Sequence, residues 1–243
     1  MAEFFSTLQS DFIKCFVTRD RWKFIVDGLL ATLEITLFSC LIGVLIGLVI
    51  AIIRSTYDKN YKLMRKSAGK TVLAATNWLC NIYLTVIRGT PVVVQLMIMY
   101  YIIFAASDNG ILIAVAAFGI NSGAYVAEIF RSGIMSTDNG QFEAGRSLGF
   151  GYLQTMLYIV FPQAFKSVLP ALANEFIVLL KETSVAGYVA IQDLTKGGDI
   201  IRGATYETFM PLLAVAGIYL IMVVFFNRLV QKLERRLRKS DNR

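Results

Sequence analysis

Five predominantly apolar runs, at residues 29–53, 78–106, 111–130, 168–190 and 209–226, constrain this chain more than anything else in it. Inside hydrocarbon every backbone N–H and C=O must find a partner within the protein, which leaves helices for runs of this kind. A helix needs ~20 apolar residues to cross a core about 30 Å thick. The expected fold class is therefore an all-α integral membrane protein, one domain over residues 1–243 with five transmembrane helices. Charged residues make up 17% of the 243, against roughly 25% in a soluble domain, so lipid is the main solvent.

Histidine is absent. That removes the commonest general base, the commonest zinc ligand and any Ser-His or Cys-His nucleophile pair. Cys15, Cys40 and Cys80 show no CxxC spacing, which argues against a disulfide framework or a metal cluster. The net charge of +7 points to membrane topology rather than to nucleic acid. Arg228, Lys232, Arg235, Arg236, Arg238, Lys239 and Arg243 follow the last run, and Arg54, Lys59, Lys62, Arg65, Lys66 and Lys70 lie between the first two. By the positive-inside rule both groups are cytoplasmic. Five spans then put the N-terminus outside, with the 107–110 turn external and the loop around Glu143 on the cytoplasmic side. The N-terminus lacks a basic start and a cleavage site, so the first run reads as an anchor that stays. The first ~20 residues read as an amphipathic helix on the membrane surface.

Between the third and fourth runs the chain reads Glu143-Ala144-Gly145, then three residues, Gly149, nine residues, and Ile159-Val160-Phe161-Pro162. Gly149 can take positive φ between two helical pieces and lets another backbone approach closely. Pro162 is expected to interrupt the second piece. This pattern resembles the EAA loop of the permease subunits of ATP-binding-cassette importers, with Phe161 where leucine is usual. The resemblance implies that Glu143, Ala144, Gly145 and Gly149 dock on a separate ATP-hydrolysing subunit.

Further along, Arg88-Gly89-Thr90-Pro91, the segment 124–131, Asn174-Glu175-Phe176 and Lys181-Glu182-Thr183-Ser184 are similar, in this order and spacing, to permeases for polar amino acids and opines. The likeness runs from about residue 25 to the C-terminus and implies the type I importer permease fold. It also implies a second permease chain, identical or related, and an extracellular or periplasmic solute-binding protein delivering an amino acid in a bacterial cell membrane. The segment from about 57 to 75 is longer than the family leads one to expect. Physically, Arg88, Gly89 and Pro91 form a helix-kinking element, and Arg88 can satisfy freed carbonyls or pair with an acid. Gly69-Lys70-Thr71 mimics the end of a phosphate loop, but Met64 stands where that loop needs glycine. The chain is thus expected to be no enzyme and to hold no cofactor or metal, with ATP and Mg on the partner subunit.

Ionisable groups inside spans are expensive and point to function. Asn121, Tyr125 and Glu128 recur at helical spacing on one face of the third run, and Glu175 and Glu182 do so on the fourth, with Lys181 beside them. All six are candidates for contact with a polar solute, Glu175 suiting an ammonium or a cationic side chain. For Glu128, Lys181 and Glu182 the alternative is that they pair with each other, with Arg88 or with Arg131 to hold helices together. A self-sufficient secondary transporter or channel is the rival function, although such proteins usually carry inverted repeats, into which five spans with one EAA-like turn do not divide.

Overall fold

In the computed structural model residues 2–62 and 64–241 are described. Arg243 of the C-terminal basic group lies outside them, as do the side chains of Arg238 and Lys239. Among the described residues every regular element is helical: α1 (Ala2–Phe12), α2 (Trp22–Asn60), α3 (Ala68–Gly89), α4 (Val92–Ile98), α5 (Gly110–Ser136), α6 (Asn139–Ser147), α7 (Tyr152–Thr155), α8 (Phe161–Glu182), α9 (Leu194–Thr205) and α10 (Phe209–Asp241). Four helical stretches are long and apolar enough to cross a bilayer, namely Trp22–Asn60, Gly110–Ser136, Tyr152–Val189 and Phe209–Leu237. The pair Ala68–Gly89 and Val92–Ile103, bent by 108° where Thr90 and Pro91 interrupt the ladder, makes a fifth if its two arms count as one span.

One local finding differs from the sequence expectation. Pro162 does not interrupt the helix after the Gly149 turn. The chain stays helical from Tyr152 through a π turn, Met156–Val160, into α8. The Phe161 N–H donates to the Met156 carbonyl, so the ladder has already widened before the proline, which has no N–H to place. Of the long 57–75 segment, residues 57–60 form the end of α2 and residues 68–75 the first part of α3.

The chain divides into two compact units. The first gathers Met1–Ser39, Val93–Phe118 and Phe176–Leu229. Its apolar core contains Cys15, Phe16, Ile25, Leu194, Ile201 and Val215. Helix α9 lies directly on α2: a side chain at Gly28 would strike the Asp193 backbone, and one at Gly197 would strike the Phe24 carbonyl. The Leu194 N–H completes the contact by donating to Thr32 Oγ1 at 3.0 Å. Asp193 caps α9 by accepting from the N–H groups of Thr195 and Lys196 at 2.9 and 3.0 Å. Burial pushes the Asp193 carboxyl above the usual carboxylate range, against the pull of those two N–H groups.

The second unit gathers Cys40–Val92, Gly119–Glu175 and Val230–Arg243. Gly43 and Gly47 of α2 let α5 approach so closely that added side chains would overlap Ser122 and Val126. This is the small-residue packing that apolar helices need when water supplies no driving force between them. Around that seam Ile50, Cys80, Leu84, Ala124 and Ala127 form one apolar cluster, and Ala51, Val126, Phe130, Val168 and Leu172 form a second. The Tyr83 hydroxyl donates to the Ile120 carbonyl, tying α3 to α5.

Candidate docking turn and substrate cavity

Both constellations of interest are built within the second unit. At the first, Asp138 caps α6 by accepting from the Gly140 N–H at 2.6 Å. The helix closes as a Schellman motif: Gly149 has φ +82°, its N–H donates to the Arg146 carbonyl at 2.9 Å, and the Phe150 N–H donates to the Gly145 carbonyl at 3.0 Å. Gln154 Oε1 then accepts from the Gly151 N–H at 2.9 Å and starts α7. Gly145 is buried because a side chain there would overlap Thr155, so it is the point where α6 meets α7.

The pair is fastened to the rest of the unit by aromatic packing. Phe142 stacks on Tyr152 at 5.9 Å and joins Ile134, Met156, Val160 and Ala164 in an apolar cluster. Lys59, at the end of α2, lies 4.2 Å from the Phe142 ring centroid and donates to Asn139 Oδ1 at 3.1 Å. The exposed residues of the turn include Glu143, Ala144 and Gly149, together with Leu148 at 71% and Leu153 at 64% exposure.

The second constellation is an open cavity of about 520 Å³. Its polar lining comes from Arg88 of α3, Tyr125, Glu128, Ser132 and Ser136 of α5, and Ser167 and Glu175 of α8. Glu175 is 9% exposed and accepts from Ser122 Oγ at 3.0 Å. The Arg88 guanidinium stands 5.7 Å from the Tyr125 ring centroid, within cation–π range. Among the described residues Arg88 makes no ion pair. Glu128, by contrast, is committed: Arg131 donates to it at 2.7 Å and Arg54 lies at 3.8 Å, while Arg131 also reaches Asp58 at 3.3 Å. Two acids and two bases there neutralise one another and join α2 to α5.

Of the residues singled out from sequence, Tyr125, Glu128 and Glu175 thus line one cavity, and Arg88 joins them. Asn121 is 2% exposed and is not among the lining residues. Lys181 and Glu182 fall in the first unit. Gly89 is exposed, with nothing within 4 Å of where a side chain would start. Sequence reasoning missed Ser132 and Ser136, although they continue the Tyr125–Glu128 stripe at steps of four, a legible helical signal. It also missed Ser122 as the Glu175 partner and Arg54 as a Glu128 partner, for which no spacing gave a clue.

The profile of the family described as binding-protein-dependent transport system inner membrane component matches residues 68–239. Arginine transport system permease protein ArtQ of Bacillus subtilis (strain 168) is 33% identical over 221 residues, covering 90% of this chain and 94% of that protein. A solved structure described as an amino acid ABC transporter with histidines superposes with a TM-score of 0.76 at 39% identity, covering 91% of this chain and 98% of that one. The MetNI methionine ABC transporter in an inward-facing conformation shares the fold, with a TM-score of 0.75 at 18% identity over 90% of this chain and 98% of its own. The α6–Gly149–α7 turn and the polar cavity thus sit in a chain that belongs to the binding-protein-dependent transport system inner membrane components, the permease subunits of ABC importers.

Proposed function

We propose that this chain is one of two permease subunits of an ATP-driven importer of polar amino acids, and that its cavity receives the solute toward the cytoplasmic side. A solute-binding protein delivers the amino acid from outside, and a separate subunit binds ATP and Mg and moves the α6–α7 turn as it closes. The N-terminus lies outside, and the C-terminus and residues 132–166 lie in the cytoplasm. Exposed Leu148 and Leu153 beside the Gly149 turn suit docking, since an unpartnered polar turn gains nothing by presenting leucines to water.

The observation that carries the reading is the cavity of about 520 Å³ with a shielded carboxylate and, among the described residues, a guanidinium outside every ion pair on its walls. Its volume falls in the usual range for small-molecule sites. A free amino acid bears an ammonium and a carboxylate, and a dry site must offer a partner to each. Glu175 answers the ammonium or a cationic side chain, Arg88 answers the carboxylate, and the Tyr125 ring closes over the carbon skeleton. Glu128 shapes the wall through its ion pairs. Asn121 supports the site as a buried polar group of the helix that carries Tyr125, and Lys181 and Glu182 serve the pathway further along α8. An arginine permease among the relatives is in keeping with an acidic group at the site.

The test is Glu175→Gln in the assembled complex, with Asn121→Ala and Arg88→Gln beside it. Removing one partner of a charged buried contact costs on the order of 1–3 kcal/mol, or roughly five- to 150-fold in apparent affinity. Substrate-stimulated ATPase should shift by that amount in Glu175→Gln while assembly is kept. Unchanged uptake and unchanged substrate preference in all three variants would place the solute elsewhere.

A further inference from the structure

The linker between α2 and α3 carries chemistry that transport does not use. Lys59, Lys62, Arg65, Lys66 and Lys70 fall within residues 59–70, and no acidic residue occurs between Asp58 and Asp108. Asp58 is itself taken by Arg131 at 3.3 Å. The linker is also built rather than loose. Tyr57 and Tyr61 stack at 4.5 Å, and Lys70 folds back 4.5 Å from the Tyr61 ring centroid and donates to the Met64 carbonyl at 3.0 Å. Lys59 is engaged with Phe142 and Asn139. That leaves Lys62, Arg65 and Lys66 exposed at the tip and, among the described residues, without ion pairs.

Their height relative to the bilayer follows from helix geometry. The first apolar run ends at Ile53 and α2 continues to Asn60, a rise of about 10 Å beyond the hydrocarbon edge. The headgroup zone is about 5–8 Å thick on each side, and lysine and arginine side chains reach several ångströms toward it. Below the turn, α3 presents exposed Val72, Leu79, Ile82 and Val86 as one apolar stripe, as a helix facing acyl chains does. Three uncompensated cations above an apolar stripe match the charge and layering of an anionic phospholipid.

We infer that Lys62, Arg65 and Lys66 form a docking surface for anionic phospholipid headgroups. Because Lys59, at the end of α2 just before the tip, holds Phe142 and Asn139 of α6, headgroup binding steadies the base on which the proposed docking turn rests. The inference rests on α2 and α3 being spans, and it is independent of which solute is carried.

The experiment compares the complex in bilayer discs of phosphatidylcholine alone and with phosphatidylglycerol, with co-purifying lipid counted by native mass spectrometry. One variant is Lys62→Gln/Arg65→Gln/Lys66→Gln, and the charge-matched control is Lys232→Gln/Arg235→Gln/Arg236→Gln. Each basic group near an anionic surface contributes about a fivefold factor, so the linker variant should lose phosphatidylglycerol enrichment by tenfold or more while the control keeps it. Enrichment in the unmodified complex should fall as salt rises, a reading that needs no variant to fold. Equal loss in both variants, or enrichment retained in the linker variant, overturns the inference. So does loss of the ATPase with lipid enrichment unchanged, which would assign the surface to protein. Uptake measured in parallel reports on the importer reading separately.

Discussion

Replacing Gly149 by valine separates the proposed docking role from mere membrane insertion. Gly149 sits at φ +82° with nothing within 4 Å of a would-be side chain, so in the free chain the substitution meets no clash. The cost is conformational: a left-handed residue with a Cβ loses roughly 1–2 kcal/mol, and β-branching adds to it. The chain can shed that strain by relaxing to negative φ, which breaks the N–H bonds of Gly149 and Phe150 to Arg146 and Gly145. The strain therefore counts against any docked state that needs the turn intact. At RT near 0.59 kcal/mol it weakens docking about five- to thirtyfold before any contact with the partner's backbone is added. The assay is retention of the ATPase when the tagged permease is purified, with uptake and membrane level measured in parallel. Gly149→Asn should be milder, since asparagine tolerates the left-handed region. Gly151→Ala should be silent, because Gly151 has φ −68° and its added carbon would make only an ordinary contact with Gln154. Full ATPase retention and normal uptake in Gly149→Val, at normal membrane levels, would refute the reasoning.

Gly47→Leu should force α2 from α5, because the first added carbon already overlaps Val126 and meets the Ala127 nitrogen at 2.7 Å. Overpacking of this kind costs about 1–3 kcal/mol, and an unchanged unfolding temperature of the solubilised protein would show that the seam is looser than described. A single cysteine at Asn139 should resist an impermeant thiol reagent in intact cells and react once the membrane is opened. Labelling in intact cells would reverse the orientation and remove the docking turn from the side where ATP is.

The sequence by itself determined the helical class, because runs of apolar residues this long leave backbone groups no other way to be satisfied. It also determined the α6–Gly149–α7 turn, because Gly149 carries a conformational requirement that few other residues meet and its spacing is local. The kink at Pro91 was legible for the same reason, since a missing N–H acts at its own position. Pro162 was not, because the π turn that accommodates it depends on how the preceding helix packs, with Met156 and Val160 buried beside Phe142. Nor was the division of labour among the intramembrane acids. Glu128 and Glu175 look alike along the chain, yet one is neutralised by Arg54 and Arg131 while the other meets a serine at a cavity wall. Arg131 stands three residues from Glu128 on α5, but Arg54 meets Glu128 from α2 and Ser122 meets Glu175 from α5, helices brought within reach by glycine seams at Gly43, Gly47 and Gly133. A charge's role is set by what stands within a few ångströms of it, and for residues far apart in the chain only tertiary packing decides that.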